Sequence, residues 1–568
     1  MKKTFLMLAM LCVAVLANAQ EVKNVILLIP DGCSLATVSA SRWYQWYMNP
    51  DKEHLAIDPY LSGTVRTTCS NAPIGDSAPT TSCYMTGYLG LAGWVSTYPT
   101  SYPKDDIYPL DKSKEYQPLA TVLEAAKILK RKSTGLVFTC EFPHATPADC
   151  ASHSYNRNKF EWIAPQMAHN DVNVVIGGGT KHLNDECEQY LKTKGWGVFR
   201  DDVESMRTYK GNNMWALFTP GSMPYDIDRD KQKLPSLAEM TSVAINKLSN
   251  DPDGFFLMVE GSAVDFAAHN NDPAAMVTEF LAFDEACRVA FDFAKRDGNT
   301  AVVVVPDHGN SGISIGRRDW GGYARDSKDR MFKGLSLMHA SCEEMATKLN
   351  SAPNDKVQDL FKEWCGFTLT EKEMTVLNNN REYKNSPIAR DDRHPDANYR
   401  SGLARTIAQF MTERTGFAFT TNGHTGEDVF LASYHPQSDK RPYGMLTNVE
   451  INHYLCSLIG IDHDALDQIT DFCYAPHTDV FDGLKYEIRP GEKLADGKVG
   501  SPVLVVKGKK GTMTIKPFTN EVTLGKSLKL SVNSPSVYVD KNNTFYVSRH
   551  LRSILTGQID KEADANLQ

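Results

Sequence analysis

The sequence predicts an α/β protein built on a central, mostly parallel sheet with helices packed on its faces. Three observations point there: short continuous apolar runs, helical periodicities between them, and a chemically capable polar residue just beyond most of the runs. Continuous apolar runs belong to strands buried on both faces. Ligands in such sheets gather at the carboxyl ends of the strands, so the pattern predicts one convergent site.

The chain opens with Lys2 and Lys3, an apolar run from Phe5 to Leu16, and the small residues Ala17-Asn18-Ala19. That order is a secretory signal peptide over residues 1–19. The run is too short to span a bilayer, and no comparable stretch follows, so no membrane span is expected. The expected location is beyond the inner membrane, periplasmic or extracellular. Loss of the two leader lysines takes the formal charge from -8 to -10. A nucleic-acid surface is basic, so no dedicated nucleic-acid partner is expected, whereas bound cations would offset part of the negative charge. The cysteines are scattered and show no CxxC pattern. An exported chain can form one or two bridges from them, but spacing does not pair them.

Val25 to Ile29 is the first strand candidate and ends in Pro30-Asp31-Gly32. Gly135 to Thr139 comes before His144, Phe255 to Val259 before Glu260, and Ala301 to Val305 before Asp307. Helical patterns over Leu119 to Lys130 and Ala274 to Asp297 supply the crossovers. Val172 to Ile176 is a further strand candidate that stops at Gly177-Gly178-Gly179. These glycines read as a tight structural turn, because they lack the Lys-Ser/Thr of a P-loop and the GxGxxG spacing. From about 310 to 423 the strand rhythm breaks, with Arg, Trp and Asp dense between Arg317 and Arg330 and a helical stretch from Leu337 to Leu349. This is an insertion expected to cover the site. Beyond residue 483 the sequence alternates, as in Val503 to Val506, Ser527 to Val532 and Val537 to Val539. It reads as a small β-rich appendage. The chain is longer than one core usually supports. The expected organisation is a leader at 1–19, a catalytic domain at 20–482 with its insertion, and a β-rich module at 483–568.

Asp76-Ser77-Ala78 follows a turn-like segment and precedes small residues. A helix starting there puts Ser77 at its amino end, where free N–H groups and the dipole favour an alkoxide and an incoming phosphate. Asp-Ser is also an ordinary helix cap. Asp265 and His269 are four residues apart, which on a helix places both on one face, as a shared zinc requires. The same spacing is common on solvated faces. Glu260 ends a buried strand, and a buried carboxylate needs a partner or a metal. Asp307-His308-Gly309 ends another, Asp31 a third, and His424 lies in a polar loop.

Together, Asp31-Gly32, Asp76-Ser77-Ala78, His144-Ala145-Thr146-Pro147, Arg157, Val259-Glu260-Gly261, Asp265 with His269, Asp307-His308 and His424-Thr425-Gly426 resemble the ordered signature of the alkaline phosphatase family. The resemblance implies a three-layer sandwich and hydrolysis of phosphate monoesters to an alcohol and inorganic phosphate through a phosphoserine. Ser77 resembles the nucleophile and Arg157 the phosphate clamp. Asp265, His269 and His424 resemble the ligands of one Zn2+; Asp307 and His308, with bridging Asp31, resemble those of a second. Asp31, Thr146 and Glu260 resemble the ligands of one Mg2+. His144 and His153 are expected to support these groups from behind, His144 at a position where the family carries Asp or His. A histidine there weakens the acidic surroundings of magnesium, or favours a third zinc. Pro79, Thr80, Thr81 and Ser82 depart from the small residues usual after the nucleophile, which makes Thr80 and Ser82 alternatives to Ser77. Phe266 and Ala268 replace polar residues near the first zinc.

Phosphodiesterases, sulfatases and phosphonoacetate hydrolases of the same superfamily share the two-metal core. Arg157 and the magnesium set favour a monoester, whose dianion needs more positive charge. A noncatalytic phosphate-binding protein with a docking tail is a reading of another class, opposed by the intact nucleophile. A homodimer is allowed by the sequence and not required by it.

Overall fold

The computed structural model describes residues 21–321, 326–382, 402–492 and 499–557. The leader lies outside the described residues, as do parts of the insertion and of the carboxyl-terminal module.

Ten strands form the central sheet. In chain order they are β1 (Asn24–Pro30), β2 (Leu61–Arg66), β3 (Ser133–Glu141), β4 (Val174–Gly178), β5 (Gly197–Arg200), β6 (Met214–Leu217), β7 (Phe255–Gly261), β8 (Thr300–Val304), β9 (Val429–Tyr434) and β10 (Gly444–Thr447). They lie side by side in the order β10-β2-β9-β8-β1-β7-β3-β4-β6-β5. Every pairing from β8 to β5 is parallel, and β9 alone runs against its two neighbours. The five continuous apolar runs read as strands are β1, β3, β4, β7 and β8.

Alternation along each strand divides the sheet between two cores. Val25, Leu27 and Ile29 enter one, and Ile26 and Leu28 the other. Eight helices matter for the site: α1 (Leu35–Met48), α2 (Ser77–Thr86), α3 (Val122–Lys130), α4 (Ala145–Ala151), α5 (Phe160–His169), α6 (Leu237–Leu248), α7 (Ala263–His269) and α8 (Pro273–Asp297). Residues of α2 to α5 fill the first core, and residues of α6 and α8 the second. The result is three layers. The helix starts are set by caps: Thr121 and Glu124 form a capping box at α3, and Asp272 caps α8 ahead of Pro273.

The glycine run differs from expectation. Gly177 and Gly178 belong to β4, where a Cβ would meet the Phe138 ring and the carbonyls of Cys140 and Gly221. Their missing side chains let β4 lie close against the end of β3, and only Gly179, at φ +101°, makes the turn.

The insertion carries helices α9 (Lys328–Ser336), α10 (Cys342–Ser351), α11 (Val357–Cys365), α12 (Glu371–Glu382) and α13 (Gly402–Thr412). The expected helix over Leu337 to Leu349 begins later, because the Ser341 side chain caps α10 by accepting from Glu344 N–H. Met331, Phe332, Met345, Phe361, Ile407 and Met411 belong to the same buried cluster as Ala263, Ala267 and Ala268 of α7, so the insertion shares a core with the helix that carries Asp265 and His269. A two-residue ladder between Gly309–Asn310 and His424–Thr425 ties its two ends together.

The carboxyl-terminal segment has an antiparallel sheet of β11 (Lys485–Arg489), β12 (Val503–Gly508), β13 (Gly511–Ile515), β14 (Glu521–Leu524) and β15 (Leu528–Ser531), over its own small core. It also carries a short helix, His550–Thr556, so it is not purely β. Phe518 stacks on Trp162 of α5 with ring centroids 5.0 Å apart. Eleven cysteines, Cys33 to Cys473, are buried and free, so no bridge forms among the described residues. No helix among the described residues is long and apolar enough to cross a membrane.

Candidate active site

The polar residues beyond β1, β3, β7 and β8 meet at one end of the sheet. Asp31 follows β1 and is fully buried, as are Thr146, Glu260, Asp307 and His308. Gly32 holds φ +61°, and a Cβ there would strike the Asp265 carboxylate, so this glycine is what lets β1 and α7 bring their acids together. Its N–H donates to Asp307 Oδ1 at 2.9 Å.

Ser77 is the first residue of α2, and Asp76 is its cap, accepting from Ser77 N–H at 2.9 Å. Arg157 donates from Nη1 to Asp76 Oδ1 at 2.9 Å and lies 3.5 Å from Ser77 Oγ. Its Nη2 donates to His144 Nε2 at 3.1 Å. The carboxylate and the imidazole therefore fix the plane of the guanidinium beside the serine. A planar fork held in this way suits two oxygens of a phosphoryl group.

Three imidazoles are oriented alike. His269 Nδ1 faces Asn422 O at 2.7 Å, His308 Nδ1 faces Gly309 O at 3.0 Å, and His424 Nδ1 faces Gly75 O at 3.0 Å. Each carbonyl accepts from Nδ1–H, which leaves the lone pair on Nε2. Those Nε2 atoms converge: His269 and His424 approach to 3.2 Å, and His308 Nε2 lies 3.4 Å from Asp31 Oδ1 and 3.5 Å from Asp307 Oδ2. Nitrogens and carboxylates gathered this closely need a proton or a cation among them, and Asp265, against burial, raises His269 to about 8. Both oxygens of Asp31, Asp307 Oδ2, His308 Nε2, Glu260 Oε1 and Thr146 Oγ1 are buried without a hydrogen-bond partner. Unpaired buried acceptors cost free energy, and so many in one place fit metal ligation.

The donors fall into groups of metal-site size. Asp265, His269 and His424 form one, and Asp31, Asp307 and His308 a second. Cys140, His144 and Glu260 form a third. The protonation balance says the same. Burial pushes Asp31 well above the usual carboxylate range, and Asp307, Asp265 and Glu260 add to it. Burial lifts Glu260 to about 7 and raises Asp307 as well. Asp265 goes the other way, because against burial the imidazoles of His269, His424 and His308 hold it well below that range. Burial, then His308, depresses His424 to about 4, so it presents a neutral ring.

Every residue expected from the sequence as nucleophile, clamp or ligand lies in this cluster. His144 is there too, beside Arg157 and with Phe266 packed edge-on at 5.7 Å between centroids. His153 is not. Its ring nitrogens face Ser96 O and Glu124 Oε1, in a network beneath α3, so it supports the fold and not the ligands. Thr80 and Ser82 lie inside α2, beyond the capped position that Ser77 holds, and Ala268 belongs to the cluster of the insertion. Sequence reasoning passed over Asp76 as an anchor for Arg157, because a helix cap already explained it. It also missed Asn310, whose Nδ2 donates to Asp265 Oδ1 at 2.7 Å, and Cys140, whose thiol donates to Glu260 Oε2 at 3.2 Å. Their positions next to Asp307-His308-Gly309 and at the end of the strand before His144 were the available signals.

Comparison with known proteins agrees with the geometry. The sequence model described as alkaline phosphatase matches residues 22–461. Alkaline phosphatase 3 of Bacillus subtilis is 34% identical over 451 residues, covering 76% of this chain and 88% of the relative. The repressible alkaline phosphatase of Saccharomyces cerevisiae is 28% identical over 525 residues, covering 83% and 87%. The crystal structure of a cold-active alkaline phosphatase from a psychrophilic Shewanella species superimposes with a TM-score of 0.65 at 27% identity, covering 77% of this chain and 99% of that one.

Proposed function

The chain belongs to the alkaline phosphatase family of phosphoric monoester hydrolases, and from that premise we propose that Ser77 takes the phosphoryl group from a phosphate monoester and passes it to water. The reading rests most on one observation: three imidazoles locked through Nδ1 turn their Nε2 atoms onto buried carboxylates and onto one another, with the oxygens of Asp31 and Asp307 Oδ2 left without partners.

Asp265, His269 and His424 would hold one zinc ion, and Asp307, His308 and Asp31 a second. The oxygen donors Asp31, Thr146 and Glu260 fit a third divalent cation of the magnesium type. When bound, such cations would supply Lewis acidity to the reacting oxygens of the displacement.

The chain's own residues do the rest. Asp76 and His144 keep Arg157 planar against the bound phosphoryl group, where its N–H donors meet two nonbridging oxygens. In the first turn of α2 the Ala78 N–H is left to meet the same oxygens, because Ser77 N–H is held by Asp76 and Pro79 has none. Ser77 Oγ forms a bond to phosphorus as the ester P–O bond breaks; the serine gives up its proton, and the leaving oxygen departs as the alcohol. Water then breaks the Ser77–phosphorus bond from the other face, restoring the hydroxyl and releasing inorganic phosphate. The leader in the sequence supports export to the periplasm or the medium.

The test is an acid quench during turnover of an aryl phosphate, followed by peptide mass mapping and metal analysis. Phosphate on Ser77 is expected. A higher rate on the matching diester than on the monoester would overturn the assignment in favour of a phosphodiesterase.

A further inference from the structure

We propose that Cys140 is a thiolate ligand of the third cation, and that it makes this site select zinc over magnesium. The inference deepens the reading above, because it rests on Asp31, Thr146 and Glu260 holding a third ion. Cys140 is the next-to-last residue of β3, and its side chain is fully buried. Its Sγ lies 3.2 Å from Glu260 Oε2, and one ligand atom each from Cys140, His144 and Glu260 lie within 4.8 Å of one another. Buried atoms without partners include Glu260 Oε1 and His144 Nδ1 of this group, and both oxygens of Asp31 and Thr146 Oγ1 besides.

Sulfur changes which ion such a set prefers. Magnesium takes oxygen in octahedral geometry and does not bind thiolate well, whereas zinc takes sulfur, nitrogen and oxygen together in four-coordinate sites. His144 is held differently: its Nε2 faces Arg157, and its Nδ1 is buried without a partner beside Cys140 and Glu260. The Cys140 thiol donates to the Glu260 carboxylate, which would share the same ion. On binding, the thiol proton is released to solvent and the sulfur lone pair enters the metal shell.

The test uses the full chain stripped of metal and refilled with cobalt, whose bond to thiolate gives a charge-transfer absorption in the near ultraviolet. The unmodified chain should bind three cobalt ions and show this band. Cys140→Ala and Cys140→Ser should lose it, and in a zinc–magnesium competition read by elemental analysis their third site should lose zinc preference by roughly 100-fold or more. An unchanged spectrum at equal cobalt content in Cys140→Ala overturns the inference, as does magnesium in the third site of the unmodified chain under competition. If both variants fail to fold, alkylation of Cys140 in the unmodified chain decides, followed by peptide mapping. Zinc should protect the thiol where magnesium does not, and equal rates overturn the inference. A chain that binds only two cations instead defeats the three-cation reading itself, so the two failures are told apart by the metal count.

Discussion

Two buried carboxylate–histidine clusters lie in this molecule, and they are built on opposite principles. Beneath α3, Glu124 Oε1 accepts from Asn170 Nδ2 at 2.8 Å and from Tyr474 OH at 2.5 Å, and Oε2 accepts from Thr121 N–H at 3.0 Å. His153 meets acceptors with both ring nitrogens. At the strand ends, by contrast, each imidazole has one nitrogen on a carbonyl and the other aimed at carboxylates or at another imidazole. Burial alone therefore does not mark a functional site. Satisfied atoms mark structure, and unsatisfied ones in a converging set mark a ligand.

The sharpest way to break this distinction is in the unsatisfied cluster. Ser77→Ala should lower kcat on an aryl phosphate by on the order of 10^3-fold or more while the melting temperature holds, because the nucleophile is lost and no packing is. Steady-state kinetics beside a thermal scan checks both halves. Retained turnover would move the nucleophile to another hydroxyl, with Thr80 and Ser82 next to be tested.

The satisfied cluster should give the converse. Glu124→Gln breaks a buried network and should cost about 3–5 kcal/mol of stability, with turnover per folded molecule unchanged. Burial opposes its ionisation, but His153, Tyr474 and the Thr121 N–H hold the Glu124 carboxyl down at about 2. A depressed carboxylate stabilises the fold above its unfolded value, roughly 4.3, and that stability is lost as pH falls through the folded value. Acid unfolding between those limits should flatten in Glu124→Gln relative to the unmodified chain. An unchanged acid profile would mean that the network is not what Glu124 contributes.

The contrast also explains what could be read in advance. β1, β3, β7 and β8 were legible because a parallel strand buried on both faces leaves a continuous apolar run, and each run stops near a polar residue of the cluster. The Asp265 and His269 spacing was legible because a helix face repeats. His153 was misplaced because a histidine between Thr146 and Arg157 looks the same in sequence whether its partner is a metal ligand or Glu124, and Glu124 comes from a helix far from the motif. Gly177 and Gly178 were misread because turn glycines and glycines under a neighbouring strand share one signature. Cys140 and Asn310 were harder to read because their contacts, to Glu260 and Asp265, come from segments distant in the chain, and a place beside a motif is a weak signal.

Removing metal should reverse the sign of one substitution. With cations bound, Asp31→Asn loses a ligand and should melt earlier. In the stripped chain the same change removes a carboxylate buried among Asp307, Asp265 and Glu260, and should stabilise by about 1–3 kcal/mol. Paired thermal scans with and without chelator check this. The same sign in both conditions would mean that Asp31 is a structural acid like Glu124, and the distinction between the clusters would fail at its centre.

The smallest effect belongs to the face between the sheet body and the carboxyl-terminal module. Asp540 accepts from Tyr155 OH at 2.6 Å and pairs with Lys159 at 3.3 Å, with side chains 45% and 21% exposed in the ion pair. An ion pair this open to water contributes at most about 1 kcal/mol, so Asp540→Ala should shift stability by no more than that. The neighbouring Trp162–Phe518 stack buries apolar surface and carries more of the docking. Tyr155 and Lys159 flank Arg157 in the chain, which makes the kinetic half of the measurement informative. An unchanged KM places the module's role in stability or in contacts elsewhere. A KM that rises while the melting temperature holds would show that docking positions the Arg157 loop, and would make the carboxyl-terminal module part of the catalytic unit.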